Sequence, residues 1–580
     1  MNKQRTRAPA FLVAFGFTLL LGACAPQEPE DPAQTTEVDK HPQTTQPIPE
    51  LRQRAEMEPA RPTSESAKTL GLSADRAVAN GRPMESFQPP PTGFRMPDRP
   101  VDRENYAHFD DNPLKLVAEH PVSTFSIDVD TGSYSNVRRM LREGRLPPED
   151  AVRVEEMINY FSYDYPVPDA GGTPFSVSVE QAVTPWNPNT RLLQVGIQGY
   201  RPDPESIPAS NLVFLLDVSG SMNSEDKLGL VKNSLKMLTR ELDVDDRIAI
   251  VVYAGATGVV LESTPGDRHA TIVAALDRLS AGGRTNGAAG IELAYAQAAQ
   301  GFIEGGVNRV ILATDGDFNV GTVDFEALKD LAERKRETGI AITTLGFGTG
   351  NYNDHLMEQL ADAGNGNYAY IDTLSEARKV LVDEMNATLM TIAKDVKIQI
   401  EFNPRVVAEY RLIGYENRVL NREDFNNDAI DAGEIGAGHT VTALYEVALQ
   451  GAGGERLDPL RYGDESTRAR ATTETGQSRE MGFLRLRYKA PDGDVSKLIE
   501  QPIESTNERR ADGTMSDNLA FAAAVAAFGQ HLRGGKYLEG FDIDDIHELA
   551  SRAKGDDTFG YRGEFLQLVR LAEGFQVARK

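Results

Sequence analysis

Four short apolar runs, at 212–216, 248–252, 310–313 and 341–345, alternate with stretches of helical period such as Leu228, Val231, Leu235 and Leu238. Strands separated by helices cannot pair as hairpins, so they lie parallel with helices covering both faces. An α/β domain is therefore expected at 208–391, built on a doubly wound, mostly parallel sheet. In such sheets ligands sit at the carboxyl ends of the strands. The first run, LVFLLDVSGSM from Leu212 to Met222, ends there in an acid, a glycine and two serines. An unpaired buried carboxylate is costly, so something must answer the charge of Asp217.

Asp217, Ser219 and Ser221 offer one carboxylate and two hydroxyls at steps of two, with Gly220 free to bend the loop between the serines. Hard oxygen donors of this kind suit Mg²⁺ or Mn²⁺. RVILATDGDFNVG places Asp315 just past a second apolar strand, and SAGGRTNGAAGIELAYA places Thr285 in a glycine-rich loop that opens a helix. The set resembles the von Willebrand factor type A domain, whose metal-ion-dependent adhesion site is a D-x-S-x-S loop plus one threonine and one aspartate from later loops. The resemblance implies that Asp217, Ser219, Ser221, Thr285 and Asp315 hold the metal, directly or through water. It also implies that a partner protein supplies a carboxylate to the remaining coordination position. The alternative is that Asp217 and Asp315 only cap helix N-termini.

The flanks read differently. PPEDAVRVEEMINYF puts Val154, Ile158 and Phe161 on one helical face after a proline start, a face that needs a packing partner. FSVSVEQAVTP and RLLQVGIQGY alternate apolar and polar residues, as half-buried antiparallel strands do. Residues 101–207 thus form an N-terminal extension of helices and strands. Past 391, VKIQIEF, HTVTALYEVAL and MGFLRLRYKA read as strands of a β-rich domain, 392–514. Pairing of the 175–200 strands with these would make the parallel-sheet domain an insertion. The last segment, 515–580, is helical, with Ser516 as N-cap and Gly534 and Gly535 closing the first helix.

The N-terminus sets the compartment. Lys3, Arg5 and Arg7 precede the short apolar stretch FLVAFGFTLLLGA, which reads as a secretion signal, 1–23, rather than a spanning helix. It runs through LGA into Cys24, the one cysteine of the 580 residues, a spacing that resembles the bacterial lipoprotein box. The resemblance implies a lipid on Cys24 and, with Ala25 rather than Asp following, the outer membrane of a Gram-negative envelope, facing the periplasm. Residues 24–100 are proline-rich, holding 14 of 32 prolines. As a disordered tether they would reach on the order of 50 Å. A formal net charge of −26 argues against nucleic acid; a divalent cation or a basic protein surface fits better.

The runs FSIDVDTGSYSNVRRML, GFGTGNYNDHLMEQLADAGNGNYAYIDT and NREDFNNDAIDAGEIGAGHTVTALYEV extend the likeness over roughly 101–578, to the YfbK-type bacterial von Willebrand A lipoproteins. A protein-binding module without catalysis is the expected function, with a structural scaffold carrying a stabilising metal as one alternative. A metal-dependent hydrolase using Asp128 and Asp130 is the other. That pair resembles the aspartates of haloacid-dehalogenase-type phosphotransferases, but Gly132 stands where a threonine or valine is required. The plainer reading is that the two acids cap a helix starting near Ser135. A second candidate metal loop, for Ca²⁺, has Asp424, Asn426 and Asp428 spaced as in an EF-hand start, with Ala429 and Ile435 where glycine and glutamate are needed.

Overall fold

The computed structural model describes residues 104–577 apart from 170–171, 204–205, 284–286, 317–324, 351, 431, 459–479, 492 and 506–514. The signal segment, Cys24, the tether and Thr285 lie outside the described residues. A six-stranded sheet occupies the middle of the chain in the order Tyr368–Ile371, Ala341–Phe347, Val307–Thr314, Ser210–Asp217, Arg247–Tyr253 and Thr257–Pro265. All neighbours are parallel except the last pair. All eight residues of Ser210–Asp217 are buried. Leu212, Phe214 and Leu216 pack on one face with Val231, Leu235 and Leu238, while Val213 and Leu215 pack on the other with Ile291, Tyr295 and Leu328. Burial on both faces is why this strand reads as an unbroken apolar run.

Two antiparallel sheets form a sandwich beside it. In one, Lys115–Leu116, Val407–Ile413, Thr440–Leu449, Asn187–Gly199 and Phe175–Thr184 lie side by side; in the other, Thr391–Phe402 joins Glu480–Lys489, Lys497–Glu504, Val122–Ser126 and Ile435–Gly436. Leu193 faces Tyr445 and Val195 faces Ala443 across the first sheet, so the strands at 175–199 do pair with those past 391. The parallel sheet is therefore inserted between two strands of the sandwich, and the stretches 101–207 and 392–580 share their cores instead of forming one module each. Strand alternation sends Leu193, Val195 and Ile197 into the sandwich and Leu192 to the opposite face.

That opposite face carries helices. Val154, Ile158 and Phe161 find their packing partner in the helix Asp517–Leu532 and its neighbours Ile543–Arg552 and Tyr561–Val577, in one core with Phe521, Phe528 and Phe565. Ser516 is the N-cap, its hydroxyl accepting from Leu519 N at 3.1 Å, and Gly534 and Gly535 close the helix with positive φ. Among the described residues no helix is long and apolar enough to cross a bilayer.

Candidate metal centre

Asp217 is the last residue of its strand, and the loop after it is clamped from both sides. Val218 N donates to Tyr253 O at 3.1 Å, Gly282 N to Val218 O at 2.8 Å, and Gly220 N to Gly283 O at 3.1 Å. Met222, fully buried, anchors the short turn Gly220–Met222 in the core. The Asp217 carboxylate accepts from Ser219 N at 2.8 Å and from the Thr314 hydroxyl at 3.1 Å, and the Ser219 and Ser221 hydroxyls stand 2.9 Å apart. The Asp217 carboxylate closes its own loop two residues on, ahead of the one-turn 3-10 helix Gly220–Met222 and of the helical stretch that starts at Glu225 and runs into Leu230–Thr239. Burial raises the Asp217 pKa to about 6 against the hydrogen bonds from Ser219 and Thr314 that lower it, and the nearby Asp315 adds to the rise.

Asp315 follows the neighbouring strand Val307–Thr314 and is also fully buried. Its Oδ2 accepts from Lys227 Nζ at 2.9 Å. Lys227 belongs to the turn Glu225–Gly229, and its stem lies on the backbone of Gly348, where φ is +75° and a Cβ would collide with the lysine methylenes. Gly348→Ala is accordingly expected to lower thermal stability, by about 1–3 kcal/mol for the left-handed backbone and the overpacking together, read as a shift in denaturant midpoint.

The structure thus brings together Asp217, Ser219, Ser221 and Asp315. Two carboxylates and two hydroxyls at one sheet edge, with Asp217 raised toward neutrality by burial and by Asp315, fit a hard divalent ion. Reasoning from the sequence missed two contributors. Thr314 stands next to Asp315 and could have been considered; nothing in the spacing marks Lys227.

The other candidates are placed elsewhere. Asp128 and Asp130 do not cap the helix Gly132–Arg142, whose N-cap Thr131 makes no side-chain cap bond. Asp128 accepts from Asp130 N and pairs with Arg418 Nε at 3.0 Å, while Asp130 accepts from Tyr368 N at 2.8 Å. Both are buried under Arg418, a poor setting for a nucleophile that must meet a substrate. They belong to a junction of six carboxylates, Asp128, Asp130, Glu156, Asp354, Glu358 and Asp362, with Arg153 and Arg418. Carboxylate oxygens of Asp128, Glu156 and Glu358 lie within 4.8 Å of one another. This cluster ties the helices of the N-terminal extension, the helix Asp354–Ala363 of the parallel-sheet domain and a sandwich loop into one body.

In the second candidate metal loop, Asp424 turns back to accept from Asn421 N at 2.9 Å, Asn426 accepts from Arg487, and Asp428 accepts from Arg487 at 2.9 Å and from Ser496. Asn426 and Asp428 converge on the Arg487 guanidinium while Asp424 turns back on its own loop, so the loop is a turn braced by a cation of the neighbouring strand and not a Ca²⁺ cradle.

Comparison with known proteins accords with this architecture. The von Willebrand factor type A domain matches at 211–384, a family described as von Willebrand factor at 100–194, and the C-terminal domain of uncharacterized protein YfbK at 387–575. Uncharacterized protein YfbK of Escherichia coli K12 is 50% identical over 475 residues, covering 81% of each chain. The chain belongs to the YfbK family of von Willebrand factor type A proteins. Uncharacterized protein sll0103 of Synechocystis is 32% identical over 54% of this chain and 70% of its own. Among solved structures, a von Willebrand factor type A protein of Catenulispora acidiphila is 16% identical with a TM-score of 0.37, covering 69% of this chain and 91% of its own. The ArnB paralog VWA2 of Sulfolobus acidocaldarius is 15% identical with a TM-score of 0.33, covering 70% and 98%. For the YfbK family, the type A domain suggests an interaction or adhesion module, and such domains commonly bind a divalent metal.

Proposed function

We propose that this protein is a metal-dependent binding module whose sheet edge at Asp217, Ser219, Ser221 and Asp315, with Thr285, holds Mg²⁺ or Mn²⁺ and receives a carboxylate from a partner protein. A lipid on Cys24 would hold it at the outer membrane on the periplasmic side, with residues 24–100 as the tether. The observation that carries the reading is the convergence of two buried carboxylates with two hydroxyls 2.9 Å apart at the carboxyl ends of adjacent strands. The metal would supply the positive charge that a partner carboxylate seeks. The chain's own part is to fix the serine loop through its backbone bonds to Tyr253 and Gly283 and to keep Asp217 aligned through Thr314. None of these groups has to pass a proton, so binding suffices.

Thermal unfolding of the chain with Mg²⁺ and with chelator, beside Asp217→Ala, tests the reading. A ligand present at 100 times its Kd and bound only by the folded state adds about 2.7 kcal/mol. A rise with Mg²⁺ that Asp217→Ala abolishes is the expected result and leads to metal-dependent capture of partners; equal melting of wild type with and without metal would refute the site.

A further inference from the structure

We propose that Lys227 is a built-in competitor for the divalent cation: its ammonium holds Asp315 in the metal-free protein and so sets how tightly the sheet edge takes up metal. The inference rests on the metal reading above and concerns a residue outside the five-residue set. Three observations carry it. The ammonium is 2.9 Å from Asp315 Oδ2, hydrogen-bond distance to a carboxylate the metal would also use. The lysine is buried, so water does little to screen its charge. Its stem is seated against Gly348, itself held by the hydrogen bond from the Tyr370 hydroxyl to Gly348 O at 2.6 Å, so the side chain is aimed at Asp315 by the fold.

The charge balance gives the consequence. Among the described residues, two carboxylates and one ammonium leave the metal-free edge with one net negative charge, half of what the two carboxylates would carry without Lys227. A divalent cation entering beside the ammonium must share Asp315 with it and be repelled by it. The loaded edge then carries one net positive charge, which a carboxylate from outside can answer, whereas without Lys227 the loaded edge would already be neutral. Lys227 therefore trades affinity for the metal against attraction for an acidic ligand.

The test is titration of the full chain, in detergent, with Mn²⁺ by calorimetry, comparing wild type, Lys227→Met and Lys227→Arg. Lys227→Met keeps most of the apolar stem and removes the charge, and should bind Mn²⁺ at least about tenfold more tightly, given a repulsion between unit and double charge at this range. Lys227→Arg should stay near wild type. In chelator, Lys227→Met should melt below wild type and recover more on adding Mn²⁺. If it folds only with metal, it is prepared with Mn²⁺ and its affinity read by competition with a chelator of known strength. Equal or weaker Mn²⁺ binding by Lys227→Met would overturn the role of Lys227 while leaving the metal site standing; absence of Mn²⁺ binding by wild type would overturn the metal reading itself.

Discussion

Replacing Arg418 by methionine is expected to cost about 3–5 kcal/mol of stability, because breaking a buried ion pair from one side strands its partner charges. Arg418 reaches Asp128 at 3.0 Å, Asp362 at 2.7 Å, Glu358 at 3.3 Å and Asp130 at 3.4 Å, and its side chain is only 12% exposed. These acids come from two segments distant in sequence, so the guanidinium joins the N-terminal extension to the parallel-sheet domain. With it gone, acids taking up protons would recover part of the loss, and the cost should be smaller at pH 5.5 than at pH 8. Denaturant midpoints at the two pH values measure this. The control is Arg485→Met: Arg485 pairs with the half-exposed Glu401 and Glu500 at the sandwich surface and should cost no more than about 1 kcal/mol. Indistinguishable midpoints for the two variants would show that Arg418 is not a keystone of the junction.

Glu358 of this cluster and the nearby buried Glu155 make stability fall as the solution becomes more alkaline. Burial raises Glu358 from 4.5 to about 7 and Glu155 from 4.5 to about 8, the latter helped by Glu416 and Asp128 nearby. Between the two values the folded protein keeps a proton that the unfolded chain releases. Stability contributed by such a group is therefore full below about pH 4.5, declines through the window up to about 7 or 8, and is flat beyond. For Glu358 a rise of this size corresponds to roughly 3 kcal/mol. Glu358→Gln keeps the acceptor that Asn417 Nδ2 reaches at 2.8 Å and removes the titration. The decline in unfolding free energy from pH 5 to pH 8 should be visibly shallower in the variant than in wild type. Parallel profiles for the two proteins would mean that Glu358 is ionised in the folded state throughout.

What could be read from the sequence was whatever the chain states locally. The strand Ser210–Asp217 was legible because both its faces are apolar, and the serine loop because its donors are two residues apart. Thr257–Pro265 escaped notice since it is a half-exposed edge strand interrupted by Glu262 and Thr264, and Tyr368–Ile371 since four residues carry little periodicity. Long-range charge pairing was the real blind spot. Lys227 meets Asp315 across 88 residues, and Arg418 meets Asp128 across 290. An isolated lysine or arginine in a sequence defaults to the surface, and only the folded chain shows that these two are enclosed.

Insertion of the parallel-sheet domain within the sandwich has a bearing on how the protein comes into being. The strand Asn187–Gly199 must wait for Thr440–Leu449, roughly 250 residues later in the chain. A chain that emerges from one end leaves an interval between the two strands. During it the intervening domain can assemble from neighbouring segments, while the earlier strands stand with unpaired edges and bare apolar faces. The nascent chain therefore passes through a stage in which its middle is finished and its two ends are not, and the risk of misassociation is concentrated in Phe175–Gly199.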